Sequence, residues 1–426
     1  MSVLMVLLTI PANDSLRDAD TTTITLYLRN APHPYRAAER HRIPEDLMGS
    51  RLTEEQAAFA AAVRDFAKRE CGTREQRDAL TDRGREAHHP ELYRRLADLG
   101  WLGVCLPEEY GGSGGGTADA CLFLEETSYG MVPCGGFITT VITAKAYERF
   151  GSERQRREVL SGVVRGDVLA VAMSEPGAGS DVGALRCRAR QERGGAWVID
   201  GQKTWISNAH CAKSILLVAR TGEDKHGGLT MFHLPAGTPG VEIRGIGTMR
   251  GREVNDVYLA DVRLPADSVV GEVDGGWKQL MAGLDHERLF LAANMLGLAR
   301  RAFDDAVAYI REREQFGRPV GTFQALRHRV ADLATEIECT RLLVREVALD
   351  CDAYPEKLFS REASMAKLKA TELAKRVTLE GMQMMGGYGY TTEFDMERHL
   401  RAAVVSTVYG GTSEIQRDVI GKTYGL

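Results

Sequence analysis

The stretch Val171–Asn208, VAMSEPGAGSDVGALRCRARQERGGAWVIDGQKTWISN, decides how the rest of this chain is read. It follows on an apolar run, Val168–Met173, of strand type. It breaks into a small-residue turn, Ser174–Asp181, and continues in two strand-like segments, the second ending in Trp205-Ile206-Ser207. Glycines let backbone N–H groups approach a ligand, because no Cβ stands in the way. Hydroxyls and free amides at strand ends supply donors for a polar, planar or anionic partner. Trp205 adds a flat apolar face. On chemistry alone this is a ligand loop in a β domain, set against the fact that most Pro-Gly-rich turns are only turns.

Outward from that stretch the hydrophobic period changes twice. Before it, from Thr53, the pattern is helical: Thr53-Glu54-Glu55-Gln56 has capping-box form, and Phe59, Val63 and Phe66 recur at helical spacing. Further helices are expected over 90–99, 118–128, 138–150 and 153–160. Between the second and the one before it lies Gly111-Gly112-Ser113-Gly114-Gly115-Gly116. A phosphate cradle needs such glycines between a strand and a helix start. Here helical patterns flank them and no lysine follows, so a plain flexible loop is the reading. Beyond Gly166 the period alternates, with strands expected over 168–173, 185–191, 196–199, 214–219, 229–234, 241–246 and 254–262. Short, closely spaced strands suggest an antiparallel barrel or sandwich. No Gly-x-Gly-x-x-Gly stands between a strand and a helix, so a Rossmann site is unsupported. After Gly276 long helices are expected over 277–314, 323–353 and 355–385, with a shorter one after Ser413, which argues for a bundle.

The chain has 426 residues, enough for two or three domains. Its net charge of −5, without a long basic block, argues against nucleic acid as a main partner. The eight cysteines form no Cys-x-x-Cys pair and scatter through apolar segments, which reads as reduced, mostly buried thiols and no metal site. Met1–Ile10 is apolar but lacks a basic start and is too short to span a bilayer. Residues 1–50 read as a loose extension, weakly like a transit peptide over Arg29–Arg42. The expected location is the cytoplasm, with no membrane partner.

Glu287 is the most informative single residue. Leu280, Leu284, Leu291, Met295 and Leu298 fall on one helix face at spacings of three and four, and Glu287 lies on that stripe. A carboxylate there should not be buried without a reason. It is either a structural ion pair, or on a helix rotated slightly outward, or a functional acid or base.

Two longer strings add a resemblance. S-E-P-G-A-G-S-D followed by D-G-Q-K-T-W-I-S-N resembles the flavin-binding signature of the acyl-CoA dehydrogenase family. Gly410-Gly411-Thr412-Ser413-Glu414-Ile415-Gln416-Arg417 resembles that family's C-terminal motif. The resemblance covers roughly residues 51–426. It implies an α+β architecture: an α-helical N-terminal domain (51–166), a middle β-barrel (167–274) and a C-terminal four-helix bundle (275–426). It also implies FAD as cofactor. The flavin would lie along Val171, Met173 and Ser174, with Gly179 and Ser180 next to it, and along Trp205, Ile206 and Ser207. From a neighbouring subunit, Arg313, Gln315, Phe316 and Gln324 would reach its diphosphate and adenosine. Gln383, Met384, Gly386 and Gly387 would make a second cross-subunit contact, and Thr412, Ser413 and Glu414 a third. A cofactor shared in this way implies a homo-oligomer, dimer or tetramer. Ser180, Asp285, Arg288, Gly410 and Gly411 match positions along the thioester ligand. For Asp285 and Arg288 the bland alternative is surface charge on a helix start.

The family's reaction removes a proton next to a thioester carbonyl and a hydride from the next carbon. Most members carry the base immediately before Gly-Thr-Ser, where this chain has Gly410, which cannot accept a proton. Isovaleryl-CoA and long-chain members carry it instead on the helix where this chain has Leu284-Asp285-His286-Glu287-Arg288. The resemblance therefore implies Glu287 as base, an acyl-CoA of short or branched chain as substrate, and an electron-transferring flavoprotein as acceptor. Alternatives are an acyl-carrier-protein thioester as substrate, a flavin oxidase or monooxygenase, and an inactive acyl-thioester binder. A second departure from the family is Arg401-Ala402-Ala403 in place of Arg-Asp-Ala, which removes a carboxylate.

Overall fold

The computed structural model describes residues 52–426, so the reading of 1–50 as a loose extension lies outside the described residues. Among the described residues six α-helices come first: α1 (Glu54–Cys71), α2 (Arg74–Leu80), α3 (Pro90–Asp98), α4 (Thr117–Tyr129), α5 (Gly136–Phe150) and α6 (Glu153–Val164). Two begin at capping boxes. Thr73 and Gln76 exchange side-chain and backbone bonds at the start of α2, and Ser152 and Gln155 do the same for α6. Each box satisfies donors that a helix start leaves orphaned. Helix α2 is an element the apolar periodicity does not reveal, because it is short and polar.

Eight strands follow as one sheet: β1 (Leu169–Ala172), β2 (Arg188–Gln191), β3 (Trp197–Ser207), β4 (Ser214–Arg220), β5 (Leu229–Pro235), β6 (Val241–Thr248), β7 (Gly251–Leu264) and β8 (Val269–Val270). Their order is β6-β7-β3-β2-β4-β5-β8, with β1 added alongside β4. Neighbours pair antiparallel except β1 with β4 and a single residue pair between β2 and β4. Strand β3 is longer than the alternation over 196–199 suggests. It continues to Ser207 across two register shifts, between Ile199 and Gly201 and between Lys203 and Ile206. Each shift breaks the period of two that sequence reading relies on.

Helix α7 (Gly276–Glu312) leaves the sheet, with Gly275 bridged to Leu229 of β5. A Cβ on Gly276 would stand 2.7 Å from the Leu229 carbonyl oxygen, so the helix begins flush against the strand. A hairpin of β9 (Glu314–Gln315) and β10 (Arg318–Pro319) ends it. Then come α8 (Gln324–Ala353), α9 (Ser360–Met385), α10 (Gly387–Tyr390), α11 (Met396–Val404) and α12 (Ser413–Lys422). Helix α9 starts five residues later than the apolar pattern suggests. One hydrophobic core unites α1, α3, α4 and α5 with α7, α8, α9 and α11. A second lies within the sheet, and a third joins α5 and α6 to β1, β4 and β5. Among the described residues no helix is long and apolar enough to cross a membrane.

The Gly111–Gly116 segment is not the flexible loop expected. Gly114 and Gly115 donate to Leu106 and Val104 carbonyls, and a Cβ on Gly112 would stand 2.1 Å from the Leu106 oxygen. The glycines are there because the backbone is closely packed. At their end Asp352 of α8 accepts from Thr117 N (2.6 Å) and Ala118 N (2.9 Å), capping α4 from another helix. The thiols are free, and all are buried except half-buried Cys211 and exposed Cys339. Ala402 and Ala403 are buried, and Arg401 pairs with Glu397 one turn back and donates to the Met249 carbonyl. A carboxylate at 402 would therefore have stood in a packed core.

The Asp352 cap has a measurable consequence. Asp352→Ala leaves two amides of α4 without their acceptor and should cost about 1–2 kcal/mol. Thermal unfolding of the purified protein, compared with wild type, checks it.

Candidate active site

The small-residue turn is pinned by a buried ion pair. Lys203, fully buried on β3, donates to the Met173 carbonyl (2.9 Å) and to Glu175 Oε1 (2.8 Å). Glu175 also accepts from the Arg186 and Cys187 amides (2.6 and 2.8 Å). The carboxylate thus closes the Ser174–Asp181 segment onto the next strand, and Thr204 N adds a bond to Ser174 O (2.9 Å). Burial lowers the Lys203 pKa from its ordinary value, and Cys187 and Glu175 oppose that shift. Neither Lys203 nor Glu175 is singled out by the sequence reading, although both stand inside the decisive strings. Lys203 continues the alternation of Trp197, Ile199 and Gly201 along β3 and stands opposite buried Val257 of β7, so the strand's own period carries it to the core face.

The register shift between Lys203 and Ile206 sets Trp205. Its φ is +62°, and its side chain is 60% exposed. A bulky residue held in the left-handed region persists only where its surroundings impose it. Ile206 and Ser207 are fixed from the other side, where Asn255 Nδ2 donates to Ile206 O (2.9 Å). Val171 pairs with Leu216 in the sheet, so its neighbours Met173 and Ser174 emerge at the strand end, half-buried. Gly179 and Ser180 are exposed, and a Cβ on Gly177 or Gly179 would meet nothing within 4 Å. An exposed aromatic face thus stands at the end of β3, next in sequence to Thr204, which bonds the Ser174 end of the pinned loop. Those features fit a planar cofactor such as FAD.

Glu287 sits in the first third of α7, half-buried, with Leu280, Leu291, Met295 and Leu298 of its stripe buried. Burial raises its carboxyl above the ordinary 4.5, while Arg288 and then Lys367 pull it down. The C-terminal motif meets it: an ideal Cβ on Gly410 would lie 3.6 Å from Glu287 Oε1 and 2.3 Å from Leu291 Cδ1. So two positions more than a hundred residues apart converge on one spot. A side chain at 410 would collide with Leu291, and the φ of +59° there disfavours one independently. Gly411 follows at φ +80°. Thr412 caps α12 by accepting from Ile415 N (3.3 Å), and Glu414 is exposed. The Ser413 hydroxyl is buried without a hydrogen-bond partner among the described residues, an orphan of the kind a bound polar group satisfies.

Asp285 and Arg288 are not surface charges. Both are buried and paired at 3.0 Å, and Asp285 Oδ2 accepts from Phe359 N (2.9 Å) and Ser360 Oγ (3.1 Å). Asp285 therefore ties the start of α9 to α7.

The remaining expected residues gather elsewhere. Arg313 stacks over Tyr388, with its guanidinium 5.7 Å from the ring centre, and both line a cavity of about 560 Å³ with Met385. The fold thus unites two motifs seventy residues apart. Gln315 and Gln324 are exposed, and Phe316 is 93% exposed at φ +53° in the two-residue turn of the β9–β10 hairpin. Gln383, Gly386 and Gly387 are exposed, but the Met384 side chain is turned into the core. This cluster does not meet Glu287. Arg313 follows it by twenty-six residues along α7, about 39 Å at 1.5 Å per residue.

A helical, a sheet and a second helical segment in that order, with a half-buried carboxylate and an exposed aromatic strand end, match the class of fold that the resemblance implies. Family models for the N-terminal, middle and C-terminal domains of acyl-CoA dehydrogenase match residues 53–167, 170–262 and 274–425. The chain is 36% identical over 346 residues to isovaleryl-CoA dehydrogenase of Oryza sativa subsp. japonica, covering 79% of this chain and 84% of that protein. It is 37% identical over 337 residues to the Homo sapiens short-chain specific acyl-CoA dehydrogenase, covering 77% and 80%. The solved butyryl-CoA dehydrogenase of Megasphaera elsdenii superposes with a TM-score of 0.81 at 32% identity, covering 89% of this chain and all of that one. The protein belongs to the acyl-CoA dehydrogenase family, whose members are FAD-dependent oxidoreductases.

Removing the ammonium that pins the turn should be costly. Lys203→Met leaves Glu175 buried without its cation, a loss of roughly 3–5 kcal/mol. Chemical denaturation and the flavin absorbance of the purified protein should both fall.

Proposed function

We propose that this enzyme introduces a 2,3-double bond into an acyl thioester, with Glu287 as the base. The observation that carries the proposal is the convergence of Glu287 and Gly410 on one spot: the usual base position is empty of a side chain, and a carboxylate from α7 stands against it. In the proposed reaction Glu287 takes the proton from the carbon next to the thioester carbonyl. The electron pair of that C–H bond becomes the new double bond as the next carbon loses hydride. FAD, when bound, supplies the hydride acceptor. Burial makes Glu287 a stronger base than a solvated carboxylate, which suits a weakly acidic C–H.

Other residues are assigned by place. The backbone of Val171, Met173 and Ser174, with Gly179, Ser180, Trp205, Ile206 and Ser207, would hold the ring. Ser180, Arg288, Gly410 and Gly411 would border the thioester, and Asp285 would orient Arg288. Arg313, Gln315, Phe316, Gln324, Gln383, Met384 (through its backbone), Gly386 and Gly387, with Thr412, Ser413 and Glu414, would serve cofactor held by a second copy. The separation of about 39 Å between Glu287 and Arg313 supports that sharing, because one cofactor does not span it. The fully exposed Phe316, held at positive φ, supports a covering partner. The base position and the named activities of the relatives favour a short or branched acyl-CoA. An electron-transferring flavoprotein is the acceptor proposed, and the cytoplasm the location.

Anaerobic flavin bleaching with a panel of acyl-CoA and acyl-carrier thioesters tests the reading, with the fastest reduction expected for short or branched acyl-CoA. Glu287→Gln should retain FAD yet bleach about 10²–10⁴ times more slowly. Because the base must be ionised and its pKa is raised, the acid limb of kcat/KM should lie above 4.5. Bleaching at wild-type rate in the glutamine variant would remove the assignment.

A further inference from the structure

Lys367 is a lysine on an apolar stripe. It lies four residues after Ala363 and three before Ala370 on α9, all fully buried. Its ammonium donates to the Gly411 carbonyl (2.7 Å) and the Ser406 carbonyl (3.1 Å), one on each side of Gly410. Gln416 of α12, also fully buried, donates to the Gly410 and Gly411 carbonyls (3.0 and 3.1 Å). The turn that fits against Glu287 is therefore gripped by two buried side chains. No carboxylate forms an ion pair with Lys367 among the described residues. A buried ammonium without a contacting anion is expensive to keep, and carbonyls alone offset only part of that cost.

The surrounding charges show what the cation acts on. The charges that act on Lys367 are those of Glu287 and Arg288 on α7, Glu372 on its own helix and Glu414 on α12. Glu287 in turn faces Arg288 on its own helix and Lys367 across the interface with α9. Among these neighbours Glu287 is the foremost anion acting on Lys367, ahead of Glu372 and Glu414. Arg288 is already engaged by Asp285 at 3.0 Å. Lys367 is thus the cation near Glu287 that no carboxylate contacts.

We propose that Lys367 is a positioning residue for the base: its ammonium anchors the Gly410–Gly411 turn against Glu287 and supplies the positive field that favours the Glu287 carboxylate. The inference rests on Glu287 being the base. Lys367 touches neither reacting atoms nor cofactor in this assignment; it acts through the turn and through Glu287. Burial pushes its own pKa down to about 8, opposed by Glu287, so the pair is coupled in both directions. The ammonium is still the majority form at neutral pH.

The test reads the protonation of Glu287 directly. In the FAD-loaded protein, the infrared carboxyl band that disappears in Glu287→Gln is titrated without substrate, and the acid limb of kcat/KM is measured in parallel. Lys367→Gln keeps a donor for the turn but removes the charge. Both midpoints should move upward by roughly one pH unit. Lys367→Arg keeps the charge, and both midpoints should stay at their wild-type position even if the rate falls. Unmoved midpoints in the glutamine variant overturn the proposal. So do midpoints displaced in the arginine variant, which carries the test alone if the glutamine variant does not fold. If Glu287→Gln bleaches normally, the base assignment itself has failed, a result distinct from either of these.

Discussion

The Gly410–Gly411 turn resting against the Glu287 carboxylate is the contact on which the site depends. Helix α7, starting flush against β5, brings Glu287 to this spot, and α9 brings a buried lysine that bonds the turn. Both glycines occupy the left-handed region, and the Leu291 methyl fills the space a side chain at 410 would need. The absence of a side chain at 410 and the presence of a carboxylate at 287 are therefore a single steric arrangement. Losing the carboxylate from the turn makes room for the Leu291 and Glu287 side chains, and the same α7 stripe that builds the core presents the acid.

The Ser174–Asp181 turn and the end of β3 follow a similar logic. Glu175 and Lys203 are buried charges whose bonds run mostly to backbone, so their function is to fix chain direction. The alternation of β3 carries Lys203 to the core face, and the register shift just after it leaves Trp205 outward. One strand thus presents both the anchor of the small-residue turn and the exposed aromatic face. Buried ion pairs are weak evidence of stability, because desolvation offsets most of the attraction. Their retention here matches a need for geometry more than for strength.

Much of this was legible in the residues. The two changes of hydrophobic period placed helices, strands and helices in their correct order, because burying one face imposes a period of 3.6 or 2 on any chain. Glu287 stood out because a carboxylate on an apolar stripe breaks that rule, and Lys367 breaks it in the same way yet went unread. The long strings around Ser174, Trp205 and Gly410 carried the resemblance that the family matches bear out. Elements without an apolar period, such as the polar α2 and the packed glycine loop at 111–116, were missed or misjudged.

What the sequence determined by itself was the family and the order of elements, and it singled out Glu287 as a carboxylate on an apolar stripe, since each is written in local pattern. What only the tertiary structure decided was which distant residues meet. Gly410 lies beside Glu287, Lys367 grips the turn, Asp285 ties α7 to α9, and Arg313 lies most of a helix-length away from Glu287. Period and motif constrain a residue's face within its own element. The contacts between elements depend on register, crossing angle and bulges, and those are set by the packing of the whole core.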